Sequence, residues 1–199
     1  MPPKIVDIRC TGCGNVMDIS QKICKYCKTP VTISTFNSVF EMPMPLVNEF
    51  ASAYRQALGE NPYDQTLNNS VAMCYLKLKL YDKALAAFEK AMEDNFDNTE
   101  TYFYAAICLL KGKKAFLASH DTIDKIEEYL NAAMAIEPRG IYSYLQAYIK
   151  NDFYARKHLI TEPDWRQAMA NAKLAGYSPF DVEELFRILG VSKPDDFTD

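Results

Sequence analysis

Residues 84–91 read ALAAFEKA and place Ala84, Phe88 and Ala91 four and then three positions apart. On an α-helix that spacing brings the three side chains onto one face, small, large, small. The same face recurs. Phe50, Tyr54 and Ala57 stand 34 residues earlier, Ile126, Leu130 and Ala133 stand 42 later, and Ala168, Ala172 and Ala175 stand 42 later again. A face repeated at such a period marks stacked helical units, each of which needs its neighbours to bury its apolar side.

A second pattern alternates with the first. Asn68, Val71, Ala72 and Tyr75 are followed at 34 residues by Tyr102, Ala105, Ala106 and Leu109, and at 42 more by Tyr144, Ala147, Tyr148 and Asn151. Together the two patterns resemble the second and first helices of the tetratricopeptide repeat. Pro62 and Pro138 fall where that family ends its second helix, and Phe96 stands where the middle proline would be. The resemblance implies a second helix standing alone and then three helical pairs. The fold expected is mainly α, a tetratricopeptide-like solenoid of helical hairpins over residues 46–190. It is closed by a capping helix in SPFDVEELFRILG (178–190), where Ser178 caps and Pro179 enters the first turn.

The change of period from 34 to 42 suits one added turn on both helices of a pair, about seven residues. The added residues fall in KGKKAFLASHDT (111–122) and NDFYARKHLITEPD (151–164). Both insertions are expected on one edge, which gathers Lys111, Lys113, Lys114, Arg156 and Lys157 with the two histidines, His120 and His158.

Ahead of the helices lies RCTGCGNVMDISQKICKYCKTPV (9–31), with Cys10 and Cys13 in one C-x-x-C pair and Cys24 and Cys27 in another. Two intervening residues let a tight turn aim both sulfurs at one metal, and two such turns complete a tetrahedral site. Gly12 and Gly14 ease the first turn; Lys25, Tyr26 and Lys28 stand in the second. VMDI reads as one arm of a hairpin and PVTIS as another strand. The segment resembles a zinc ribbon with short β-hairpins and one structural Zn²⁺ on Cys10, Cys13, Cys24 and Cys27; a redox-active pair of dithiols is the alternative. Four protein ligands leave zinc no open position for substrate. So short a segment lacks a core, and about 10–16 kcal/mol of zinc binding would replace it.

The expected domains are therefore the ribbon at 1–35, a linker at 36–45 (within STFNSVFEMPMPL), the solenoid at 46–190 and a tail at 191–199. Residues 1–35 hold five basic and two acidic side chains in a chain of net charge −4. That asymmetry would suit nucleic acid through Arg9, Lys22, Lys25, Tyr26 and Lys28, but four thiolates outweigh the charge of one zinc ion and leave the head near neutral. MPPKIVDI has no signal-peptide core, and YFYAAICLL is about half the ~20 residues of a membrane helix. A cytoplasmic protein without a membrane span is expected.

In tetratricopeptide proteins the first helices line a concave groove. The resemblance carries that role to Asn69, Met73, Leu76 and Lys77, then Phe103, Ile107, Leu110 and Lys111, then Leu145, Ile149 and Phe153. This lining is apolar and differs from the Lys, Asn and Arg clamp used for acidic chaperone tails. It would hold a nonpolar or amphipathic partner segment, unless the chain's own linker or last helix fills it. Cys74 and Cys108, 34 apart, read as small core residues. His120 beside Asp121 has no nucleophile at a supporting spacing, so no enzyme is expected. The reading is a non-enzymatic protein–protein interaction adaptor, with nucleic-acid binding through the ribbon as the alternative.

Overall fold

The computed structural model describes residues 7–10, 12–18, 21, 23–28, 31–33, 36–40, 42–93, 96–194 and 197. Lys22, among the basic residues of the head, lies outside them. The fold is mainly α, as the repeats require, and the chain divides into two compact units, residues 1–96 and 97–199.

The first unit begins with β1 (Asp7–Arg9) and β2 (Val16–Asp18), antiparallel, with Ile8 opposite Met17 and Arg9 opposite Val16. Four helices follow: α1 (Phe36–Phe40), α2 (Met44–Leu58), α3 (Gln65–Lys77) and α4 (Tyr81–Met92). The Asp64 carboxylate accepts from the Leu67 amide at 2.9 Å, satisfying a donor the helix start leaves open. Helices α3 and α4 pack as a pair, and α2, the unpaired second helix expected from Phe50 and Tyr54, packs on α3. Phe50, Tyr54, Val71, Ala72, Cys74, Ala84, Phe88 and Ala91 are buried, which is the face read from the sequence.

Two expectations change here. PVTIS was expected as a strand, and its Pro30, Ser34 are outside the described residues. Val31–Ile33 pairs with no strand, because helix side chains satisfy its backbone. The Tyr54 hydroxyl donates to the Val31 carbonyl at 2.9 Å, and Ser70 Oγ both accepts from the Ile33 amide and lies 3.1 Å from the Ile33 carbonyl. The linker, for its part, contains the short helix α1, with Phe36 and Val39 buried and α1 packed on α3.

The second unit holds α5 (Thr99–Leu109), a 3₁₀ turn (Ala115–Leu117), α6 (His120–Ile136), α7 (Gly140–Ile149) continued by a π-helical stretch (Lys150–Ala155), α8 (Trp165–Ala175) and α9 (Pro179–Leu189). Asp164 and Gln167 close a capping box on α8, and Ser178 with Asp181 closes one on α9. Helix α5 pairs with α6 and α7 with α8, while α9 packs on α7. Phe186 of α9 meets Tyr144 and Tyr148 edge-on, and Phe197, fully buried, packs against Tyr144, Tyr148 and Trp165. The packed chain thus runs on into the expected tail.

Each insertion does not lengthen both helices of its pair. In the first long pair α5 has 11 residues against 13 in α3, and the addition becomes the 3₁₀ turn and a longer α6, 17 residues against 12 in α4. In the second it is the π-helical continuation of α7. The two insertions do share an edge. Asp152, fully buried, accepts from the Phe116 amide at 2.9 Å and from Arg156 Nη1 at 2.7 Å, and the Arg156 and Lys157 cations lie over the Phe116 ring. Lys150, 2% exposed, donates to Glu127 and Thr161, each at 2.8 Å, so the buried cation has an anionic partner.

Helix α7 approaches α8 closely because Gly140 has no Cβ: one built there would lie 2.2 Å from the Gly176 carbonyl oxygen and 2.8 Å from that of Ala172. Both obstacles are backbone. Gly140→Ala should therefore destabilise the protein by about 1–3 kcal/mol, read as a lower denaturation midpoint; an unchanged midpoint would contradict this packing.

Candidate metal centre and interaction surface

The turns after β1 and before β2 bring the first two cysteines together, and the second pair meets them. Among the described residues Cys10, Cys13, Cys24 and Cys27 form a cluster whose four sulfurs all lie within 4.8 Å of one another. Cys10 Sγ stands 3.3 Å from Cys27 Sγ, and Cys13 Sγ stands 3.7 Å from Cys24 Sγ. Those separations exceed the S–S bond of about 2.05 Å. They approach the edge of about 3.8 Å that four Zn–S bonds of about 2.3 Å define. The four residues can hold a metal ion.

The two pairs share a backbone plan. Gly14 donates its amide to the Cys10 carbonyl at 2.8 Å, and Lys28 donates to the Cys24 carbonyl at 3.0 Å. Both are left-handed, with φ of 73° and 64°. Glycine takes that conformation without cost, whereas lysine pays about 1–2 kcal/mol. The Gly12 amide and the Asn15 side-chain amide each lie 3.4 Å from a sulfur, Cys10 and Cys13 respectively. Amides of Cys27 and Tyr26 bias Cys24 toward the thiolate, the first more strongly, and hold its pKa below the ordinary thiol value; burial pushes Cys10 up to about 11. A metal must displace the Cys10 proton on binding. Cys74 and Cys108 are buried, as expected of core positions, and burial pushes the Cys74 thiol up to about 12.

Of the eleven residues assigned to a groove, Asn69, Met73, Leu76, Phe103, Ile107, Leu110, Leu145, Ile149 and Phe153 are buried. Within the first unit the linker reaches the same helix: Lys77 Nζ donates to the Phe40 carbonyl and lies 4.0 Å from the centre of the Phe40 ring. Within the second unit Phe103 is covered by Tyr104 and Tyr142, with ring centres 5.4 and 5.0 Å away. Phe153 lies between His120 and Tyr154, with the Lys157 ammonium 3.7 Å from its ring centre. Apolar side chains at these positions complete the core, and only Lys77, half-buried, and Lys111, exposed, reach the surface.

Lys111, with Leu110, opens onto a feature that sequence reasoning missed. A cavity of about 200 Å³ is lined by Leu109, Leu110, Lys111, Lys113, Lys114, Leu117 and Ala118, by Ser119, which caps α6, and by Thr122 in its first turn. Its signal was the run KGKK followed by an apolar residue in an insertion, read only as a basic edge. The tether through Tyr54 and Ser70 was also missed; a serine in the inward register of NNSVAMC was the available sign. On the head, Arg9, Lys25, Tyr26 and Lys28 are exposed. Among the described residues no helix is long and apolar enough to cross a membrane.

This is a helical-repeat architecture carrying a four-cysteine centre compatible with a zinc ribbon. No family of known proteins matches the chain. An 80-residue stretch, 40% of this chain, is 36% identical to RNA polymerase-associated protein CTR9 of Caenorhabditis elegans and spans 7% of that protein's length.

The centre makes a direct prediction. The purified chain should carry one equivalent of a thiophilic ion, lost in Cys24→Ser, and its affinity should fall as pH falls because protons compete for the four sulfurs. A chain free of metal, or affinity indifferent to pH, would contradict the assignment.

Proposed function

We propose that this chain is a non-enzymatic protein–protein interaction adaptor of the tetratricopeptide-like kind, with one structural Zn²⁺ held by Cys10, Cys13, Cys24 and Cys27. The observation that carries the reading is the pairing of helices in successive repeats, α3 with α4, α5 with α6 and α7 with α8, a scaffold ordered by packing whose surface is free to select a partner. The likeness over 80 residues to a protein whose name records association with an RNA polymerase supports a protein partner. Zinc is favoured over other ions because four thiolates suit it and its closed tetrahedral sites are structural. In this reading the metal supplies no chemistry to a substrate; the sulfurs bind it and the knuckle amides orient them.

The partner meets the first helix of a pair where its side chains are accessible. The nine buried lining residues, spread over the first helices α3, α5 and α7, hold those helices in shape, and Lys77 and Lys111 present charge. The cytoplasm is the compartment this reading assumes, since thiols stay reduced there.

Affinity capture with the full chain, followed by calorimetry with the purified captured protein, tests the proposal. A stoichiometric protein complex is expected. Turnover of a substrate with no protein bound would overturn it.

Exposed Tyr26, 72% accessible between Lys25 and Lys28, favours a second reading, nucleic-acid binding by the head. Filter binding separates the two. The adaptor reading predicts no affinity at low salt, whereas retention that falls steeply with salt would establish phosphate contacts.

A further inference from the structure

We propose that the cavity between the end of α5 and the start of α6 receives an acidic peptide segment bearing an apolar side chain, with Lys111, Lys113 and Lys114 meeting its carboxylates. This rests on the adaptor reading and names the chemistry of the partner.

The cavity joins two kinds of surface. Leu109, Leu110 and Leu117 supply an apolar wall, and three lysines supply the rim; no carboxylate lines it. Leu117 is 69% exposed although it is held in a 3₁₀ turn. An apolar side chain fixed in water gains by being covered, at about 25 cal/mol per Å². The volume, about 200 Å³, is below the ~300–1,000 Å³ of cofactor and drug-sized pockets and suits one side chain of a partner with its neighbours on the rim.

The wall is braced from behind. The turn that carries Leu117 is tied to the second insertion by the Phe116 amide to Asp152 and by Arg156 and Lys157 over the Phe116 ring, and Lys157 Nζ reaches the Ala118 carbonyl at 3.5 Å. Arg156 and Lys157 are thereby occupied inside the unit, while Lys113 and Lys114 remain exposed beside the cavity. A site set before its ligand arrives loses less entropy on binding. Ser119 and Thr122 hydroxyls lie 2.9 Å apart and engage each other, which leaves the lysines as the cationic feature of the rim. Asp121 follows Ser119 by two positions, is exposed, and does not line the cavity, so the ligand's carboxylates meet the lysines on the α5 side.

A nucleic acid fits less well. Its backbone needs an extended basic track and faces for stacking, whereas this site is small and its wall is aliphatic.

The test titrates isotope-labelled full-length chain with the blocked peptide Glu-Glu-Leu-Glu-Glu, its Gln-Gln-Leu-Gln-Gln counterpart and an eight-nucleotide oligothymidylate, following amide resonances by NMR. The acidic peptide should shift Gly112, Lys113, Leu117, Ala118 and Thr122, and the neutral peptide should not. In the double variant K113E/K114E the affinity should fall at least tenfold with the thermal midpoint unchanged, both positions being exposed. The inference is overturned if the acidic peptide shifts none of these amides, if both peptides act alike, if the variant binds equally well, or if only the oligonucleotide shifts them. A captured protein whose affinity is the same for K113E/K114E would remove this site and leave the adaptor reading standing.

Discussion

Close approach between paired helices is the constraint on which the rest of the molecule depends. Ala72, Ala84, Ala105, Ala106, Ala133, Ala147, Ala168 and Ala172 have no accessible surface. With methyl groups at these positions, helix axes can sit at the short end of the 8–10 Å range, and larger side chains such as Phe88, Leu130 and Tyr148 fill the space between. Gly140 carries the same logic further, to backbone against backbone. Each pair is thus specified by a few small residues at fixed spacing, and the intervening surface is left to vary.

The head obeys a different rule. Only a few described residues there are buried, among them Met17 and two of the cysteines, far too little apolar surface to fold a segment of that length. Four sulfurs gathered within one cluster can hold a metal ion, whose binding would replace the core. What joins head to helices is a set of polar contacts made by the chain just after the cysteines: Val31 to Tyr54, Ile33 to Ser70, Phe40 to Lys77. The segment that sequence reading took for a strand and a linker is therefore the mooring of the head within the first unit.

Much of this was legible in the sequence because it is periodic. The spacing of Ala84, Phe88 and Ala91 recovers α2, α4, α6 and α8, and the paired cysteines recover the four-sulfur cluster that can hold a metal ion. What escaped depends on non-periodic contacts. No spacing rule shows that Ser70 hydrogen-bonds a distant backbone, that Asp152 is buried beneath a turn from the other insertion, or that Phe197 folds back onto Tyr144 and Tyr148. The groove assignment met the same limit. Register fixes which side of a helix a residue occupies, but an apolar residue on that side is as readily closed over, as Phe103 is by Tyr142, as left open, and sequence spacing does not separate the two.

The account's central claim is that helix seams and the sulfur cluster are independent sources of order, one holding the repeats and the other the head. Native-state hydrogen exchange on the full chain, with and without a strong chelator, measures this directly. The slowest amides should lie at the alanine seams of α3 to α8 in both conditions, and chelation should release residues 7–28 while the amide of Ile33 stays protected by Ser70. Seam amides that exchange as fast as surface turns, or a head whose protection survives loss of metal, would contradict it.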